Sequence, residues 1–235
     1  MNDLDTDNGF YAFFKPLGVS SYDVIRKCKR LIKCKKIGHA GTLDPFADGL
    51  LIVAIGRPYT KRIHEFQSMD KTYVFEMVLG KTTPTLDPES EVIKSQPYKG
   101  SKNELEEKSK KLIPTFLGKQ QQLPPIFSAK KVNGKRAYQL ARENKEVSLS
   151  FSSVTIHELN YKGIAFSDFP KIQWTVRCSK GTYIRALVRD LGQKLGYPAY
   201  CSQLTRSAIG PIQLSQAIQI ETKDHITDAK LSYSF

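Results

Sequence analysis

The chain has 235 residues, 40% of them hydrophobic, enough to bury a substantial core as one large domain or two small ones, and it holds no run of about 18 apolar residues that would cross a membrane. Its formal net charge of +13 calls for a polyanionic partner, or for a surface charged for solubility. The acidic start from Met1 to Asp7 lacks the basic-then-apolar build of a secretory signal, so the expected setting is cytoplasmic, with Cys28, Cys34, Cys178 and Cys201 as reduced thiols. None of these cysteines forms a C-x-x-C pair or stands at zinc-finger spacing with a histidine.

Taken in chain order, Phe10 to Phe14 reads as a short aromatic strand stopped by Lys15-Pro16. Ser20 or Ser21 then caps a helix on which Val24, Ile25, Cys28, Leu31 and Ile32 recur at helical spacing. The opposite face opens a basic run, Arg26, Lys27, Lys29, Arg30, Lys33, Lys35 and Lys36, with no acid among them. The loop Gly38-His39-Ala40-Gly41-Thr42-Leu43-Asp44-Pro45-Phe46-Ala47-Asp48-Gly49 leads into the apolar run Leu50 to Ile55, a buried strand. Arg57 to Phe66 reads as a short helix and Lys71 to Leu79 as a long strand. The Gly80-Lys81-Thr82 that follows is not a nucleotide-triphosphate loop, because Phe75 stands where the motif needs a glycine.

Ser101 and Glu104 make a capping box for a helix with Leu105 and Leu112 that ends near Pro114. Residues 119 to 145 carry seven cations against Glu143, with Lys130 and Lys131 at the centre and Asn133-Gly134 as a hairpin signal, and read as a basic insertion. Val154 to Tyr161 and Ile172 to Cys178 suggest an antiparallel pair, and Thr182 caps a helix with Ile184, Leu187, Val188 and Leu191 on one face and Arg185 and Arg189 off it. Tyr200 to Ile209 reads as another strand, and beyond Leu214 the chain turns polar with little sign of a further folded unit. Strands and helices do not alternate regularly, so the expected class is α+β around a mostly antiparallel, mixed sheet flanked by helices.

Asp44 is the residue with chemical promise, because glycines crowd it in a loop that opens onto a buried strand. An Asp-Pro turn whose carboxylate merely bonds nearby backbone explains the same pattern. A lone carboxylate acting as base or nucleophile must be ionised and held, and an arginine such as Arg185 meets that need. His39 and Asp44 alone do not make a metal site.

Five segments in order, FKPLGVSSYDVI, GHAGTLDPFADGLL, the KTY tripeptide at Lys71 to Tyr73, QLPPIFSAKKVNGKRAYQLAR and CSKGTYIRALVRDLG, resemble the TruB family of tRNA pseudouridine synthases. The resemblance implies the pseudouridine synthase fold and isomerisation of the T-loop uridine at position 55 of tRNA, with no cofactor and no metal. Asp44 matches the catalytic aspartate, which attacks the ribose or the base or abstracts a sugar proton; Tyr73 matches the tyrosine that stacks on the target base; Arg185 matches the arginine paired with that aspartate. Leu204 matches an apolar pocket residue, His39 the histidine lying against everted nucleotides, and Tyr183 a support to the site. Lys15 and Pro16 match a structural motif. The partner implied is the T-arm of tRNA, gripped by residues 119–150 through cations such as Lys130 and Lys131. No membrane or nucleotide cofactor enters, and a monomer is expected. On this reading residues 1–210 form the catalytic domain and 211–235 a short tail in place of a full C-terminal RNA-binding (PUA) module. A tRNA-folding helper and a guide-RNA-dependent relative are the alternative functions.

Overall fold

The computed structural model describes residues 8–232 apart from positions 33, 133, 144–146 and 223, and without the side chains at 131, 132, 135, 136, 138, 142 and 227. The chain runs through β1 (Gly9–Lys15), α1 (Ser21–Leu31), β2 (Ile37–His39), β3 (Asp48–Ile55), α2 (Arg57–Arg62), α3 (His64–Ser68) and β4 (Lys71–Leu79). The short strands β5 (Lys81–Thr82) and β6 (Lys94–Ser95) precede α4 (Lys102–Phe116), β7 (Gly118–Gln122), β8 (Lys131–Val132), β9 (Lys135–Arg136) and α5 (Ala137–Arg142). β10 (Ser152–Ala165), β11 (Lys171–Cys178), α6 (Ile184–Leu195), β12 (Ala199–Ile209), β13 (Ile212–Gln213) and α7 (Asp224–Asp228) complete it. Two compact units result, residues 1–73 with 204–235 and residues 74–203, and the chain passes between them within β4 and β12.

In the first unit β3 is buried on both faces. Leu51, Val53 and Ile55 pack with Val24, Ile25 and Cys28 of α1, whereas Leu50, Ile52 and Ala54 pack with Phe10, Phe66 and Ile209. That is why its sequence is continuously apolar rather than alternating. β1 pairs with it antiparallel from Gly9↔Ile55 to Lys15↔Gly49, β2 pairs antiparallel through His39↔Val53, and β12 pairs parallel through Thr205↔Asp48 and Arg206↔Gly49. α1 starts at a full capping box, in which Asp23 N–H donates to Ser20 Oγ and Ser20 N–H to the Asp23 carboxylate.

The residues beyond Leu214, read as a polar stretch with little sign of a further folded unit, fold onto the first unit. Phe14 N–H donates to Ile218 O (3.0 Å), Ala12 N–H to Ala229 O (2.9 Å) and Leu231 N–H to Phe10 O (2.8 Å), while Ile220, Ile226 and Ala229 are buried beside Phe13 and Ile25. The buried anchors of this stretch, Ile220, Ile226 and Ala229, with Ile218 packed beside them, are spaced too unevenly to show periodicity.

In the second unit the strand order is β4-β11-β10-β7. β10 and β11 form the expected antiparallel pair, with register shifts near His157 and Lys162. β7 was not legible: Gln120, Gln121 and Gln122 read as the start of the insertion, yet they pair with Ser152 to Val154 as an edge strand, with Gln121 exposed and Gln122 buried. α4 runs two residues past Pro114 because Phe116 is buried; Ser101 accepts from Glu104 N–H, the first half of the predicted box. The helix expected over Arg57 to Phe66 is two short helices broken at Ile63. Tyr183, not Thr182, is the N-cap of α6, since the Thr182 hydroxyl is spent on Ser179 O. The hairpin β8–β9 turns where Asn133-Gly134 predicts, with Gly134 at φ +82° and Asn133 itself outside the described residues.

Candidate active site

Asp44 lies in the loop between β2 and β3, and its two neighbours are pinned from outside the loop. Ser21, the first residue of α1, accepts from Leu43 N–H through Oγ (2.9 Å) and donates back to Leu43 O (3.2 Å). On the other side Pro45 O accepts from Gly18 N–H (2.8 Å) and from the buried Lys15 ammonium (3.4 Å), which also donates to Pro16 O and Val19 O. Ala47 N–H closes a turn on Asp44 O (3.1 Å). A half-buried carboxylate is therefore presented from backbone held on both sides. This gives Lys15 the structural role expected of it: its charge is solvated by carbonyl oxygens at the loop's base.

Both ends of the same loop are tied by a residue that sequence reasoning missed. Arg206, 1% exposed, donates from Nε to Leu50 O (2.8 Å) and from a terminal nitrogen to Gly41 O (3.1 Å), so one planar guanidinium spans the loop's start and finish. An arginine in a strand reads as outward-facing unless its neighbours are known, so no sequence signal marked it. His39 stands beside this cation. Burial and the Arg206 charge hold its imidazole below the ordinary histidine range, against a smaller opposing pull from a hydrogen bond with Gly41 backbone. His39 is thus neutral at pH 7, and can lie against a nucleobase without bringing a charge.

Tyr73 is half-buried on β4, and Ser207 Oγ donates to Thr72 O (3.3 Å) next to it. Leu204, 6% exposed, precedes Thr205, which pairs with Asp48. His39, Asp44, Tyr73 and Leu204 thus belong to the first unit.

Arg185, Tyr183, Lys130 and Lys131 belong to the second. Arg185 is buried, which corrects its expected place off the apolar face of α6. Its side chain is 5% exposed and makes an ion pair with Asp87 (3.1 Å), with further bonds to Thr85 O (2.6 Å) and Phe127 O (2.9 Å). Asp87 is itself built in: Thr83 Oγ1 donates to its carbonyl (2.7 Å), while Thr85 Oγ1 and Glu89 N–H reach its carboxylate. The turn includes Leu86 at φ +62°, the one non-glycine residue at positive φ among those described. Gln122 fixes the start of α6 by donating to Tyr183 O (3.1 Å) and accepting from Tyr183 N–H (2.8 Å), so the edge strand β7 holds the helix that carries Arg185.

Lys130 spends its ammonium on Ser150 O (2.7 Å) and Ser152 Oγ (2.8 Å), closing the base of the basic insertion, whereas the side chain of Lys131 lies outside the described residues. Among the described residues no three His, Cys, Asp or Glu side chains are grouped to hold a metal, and no helix is long and apolar enough to cross a membrane. The four cysteines are free thiols.

Residues 29–184 match the family model described as TruB family pseudouridylate synthase (N terminal domain). The chain is 46% identical over 218 residues to a tRNA pseudouridine synthase B of Parabacteroides distasonis, covering 90% of each. It is 38% identical to the protein of that name from Bacillus subtilis, covering 91% of this chain and 69% of the relative. Among solved structures, a chain of an H/ACA RNP bound to a substrate RNA containing 2'-deoxyuridine superposes with a TM-score of 0.65 at 21% identity, covering 95% of this chain and 59% of that one. At that identity the likeness is one of fold.

Proposed function

The chain belongs to the TruB family of pseudouridylate synthases, and on that premise we propose that it converts the uridine at position 55 in the tRNA T-loop to pseudouridine. The reaction breaks the bond between ribose C1' and base N1, rotates the base, and joins C1' to C5; the C5 proton passes to solvent and N1 takes up a proton, so the product is an isomer. Reaching that bond requires everting the base, at an unstacking cost that an aromatic platform offsets in part. Tyr73 supplies the platform, Asp44 the carboxylate, and Arg185 the cation that keeps the carboxylate ionised. His39, Leu204 and Tyr183 line and support the site, and the 119–150 insertion, with Lys130 and Lys131, grips the T-arm.

The observation that carries this reading is the loop around Asp44. Its neighbours Leu43 and Pro45 are held by four hydrogen bonds from Ser21, Gly18 and Lys15, which is more restraint than an ordinary surface turn needs. The test is tritium release from an unmodified tRNA transcript labelled at uridine C5, with the modified position mapped. Asp44→Asn is expected to reduce release below detection while tRNA still binds; turnover retained by that variant, or modification at another position, overturns the proposal.

A further inference from the structure

A cavity of about 210 Å³ opens in the first unit between α1 and the folded C-terminal stretch, lined by Phe14, Pro16, Val19, Val24 and Ile220, with Lys27, Arg30, Asp23 and Gln219 at its edge. It is smaller than the roughly 300–1,000 Å³ of pockets that hold drug-sized ligands, so it suits one planar group rather than a whole cofactor. Its wall includes the half-buried ring of Phe14, and its mouth carries two cations. Asp23 does not cancel them. Its carboxylate accepts from Ser20 N–H and Oγ, both 2.7 Å, and pairs with Arg26. Beyond Arg30 the basic face continues: Arg26 and Lys29 both lie about 6 Å from the centre of the exposed Tyr22 ring. The cavity wall is also tied to the Asp44 loop through the backbone, since Val19 follows Gly18, whose N–H is bonded to Pro45 O.

We infer that this cavity is an accessory nucleotide subsite for the RNA substrate, separate from the pocket of the target uridine. One unstacked base enters the apolar slot against Phe14, Val19 and Ile220. Its flanking phosphates meet Lys27 and Arg30, and the exposed amide of Gln219 offers a donor and an acceptor to the base edge. The pairing of an apolar, base-sized slot with a cationic mouth selects a nucleotide over a peptide or a simple anion. The C-terminal stretch forms the wall opposite α1, so these residues shape a binding surface as well as a core. The inference rests on the reading of the substrate as tRNA.

The experiment measures binding of an unmodified full-length tRNA transcript by filter retention at several salt concentrations, with circular dichroism melts as a fold control. Lys27→Glu with Arg30→Glu is expected to weaken binding about tenfold or more and to flatten the dependence of log affinity on log salt by about one to two. A scan of single abasic positions is expected to find one nucleotide besides the target whose base contributes about tenfold to wild-type binding. That contribution disappears in Val19→Phe, which fills the slot, or in Gln219→Trp, which blocks its mouth from an exposed position should Val19→Phe fail to fold. Wild-type affinity and salt dependence in the charge variant, or abasic effects identical in the wild type and the slot variants, overturn the subsite. A protein that shows this coupling yet forms no pseudouridine would overturn the proposed reaction and leave the subsite standing.

Discussion

Gly49 and Arg206 face each other across the parallel pairing of β3 with β12 so closely that a Cβ on Gly49 would lie 2.5 Å from the Arg206 carbonyl oxygen. Gly49 also sits at φ +110°, outside the range that side chains tolerate, so two independent restraints demand glycine there. Gly49→Ala is expected to cost upwards of about 2 kcal/mol, read as a lower urea midpoint at unchanged slope. Wild-type stability in this variant would mean that the pairing can separate without penalty.

The Arg206 side chain answers a different question from its backbone. Arg206→Met leaves the carbonyls of Leu50 and Gly41 without their donors in a buried setting, at about 1–3 kcal/mol each. Arg206→Lys keeps the charge but cannot span both carbonyls with one point donor. The expected result for the lysine variant is a folded protein that binds tRNA like the wild type and isomerises it 10- to 100-fold more slowly in single turnover, because the Asp44 loop has lost its tether. Equal loss of binding and rate would assign Arg206 to the core alone.

Asp87 and Arg185 are both almost fully buried, so the pair cannot be dismissed as a solvent-screened surface contact. Asp87→Asn keeps the shape and removes a buried counter-charge from a guanidinium that also donates to Thr85 O and Phe127 O. Loss of about 2–4 kcal/mol of stability is expected, with a fall in isomerisation larger than the fall in tRNA binding. Thermal melts and single-turnover assays on the same preparation check both parts.

His39 gives the fold a one-sided pH dependence. Its native pKa lies below the ordinary 6.5, so between the two values the unfolded chain binds more protons than the folded one. The His39 contribution is complete above about pH 6.5 and declines as pH falls toward the lowered native value. Urea melts from pH 7.5 down to 5 are expected to show the wild type losing stability faster than His39→Gln. Parallel curves would mean the imidazole takes up its proton without strain.

How far the sequence could be read depends on where each signal was stored. β4 over Lys71 to Leu79 and the pair β10–β11 followed from local β-propensity, and the Ser20 cap from local hydrogen-bonding chemistry. Asp44, Tyr73 and Arg185 were singled out through their motifs. What stayed hidden was long-range: Arg206 tethering residues more than 150 positions away, Asp87 under Arg185, and Gln122 capping α6 from an edge strand. Each is a polar residue made structural by a partner far along the chain, and no periodicity reports that.

The folded C-terminal stretch is the last of these hidden partners. β1 has β3 on one side, and its other side would expose free N–H and C=O groups to edge-to-edge association. Instead Ala12 and Phe14 donate to Ala229 O and Ile218 O, and Ile226, 1% exposed, fills the core beside Ile25. Ile226→Ala is expected to cost about 2–5 kcal/mol through the cavity it leaves. A chain ended before Ile218 loses this cover altogether, and is expected to aggregate on refolding from urea where the wild type returns to solution, followed by light scattering. If the shortened chain refolds cleanly and melts with the wild type, β1 needs no cover and these residues serve only as the wall of the α1 cavity.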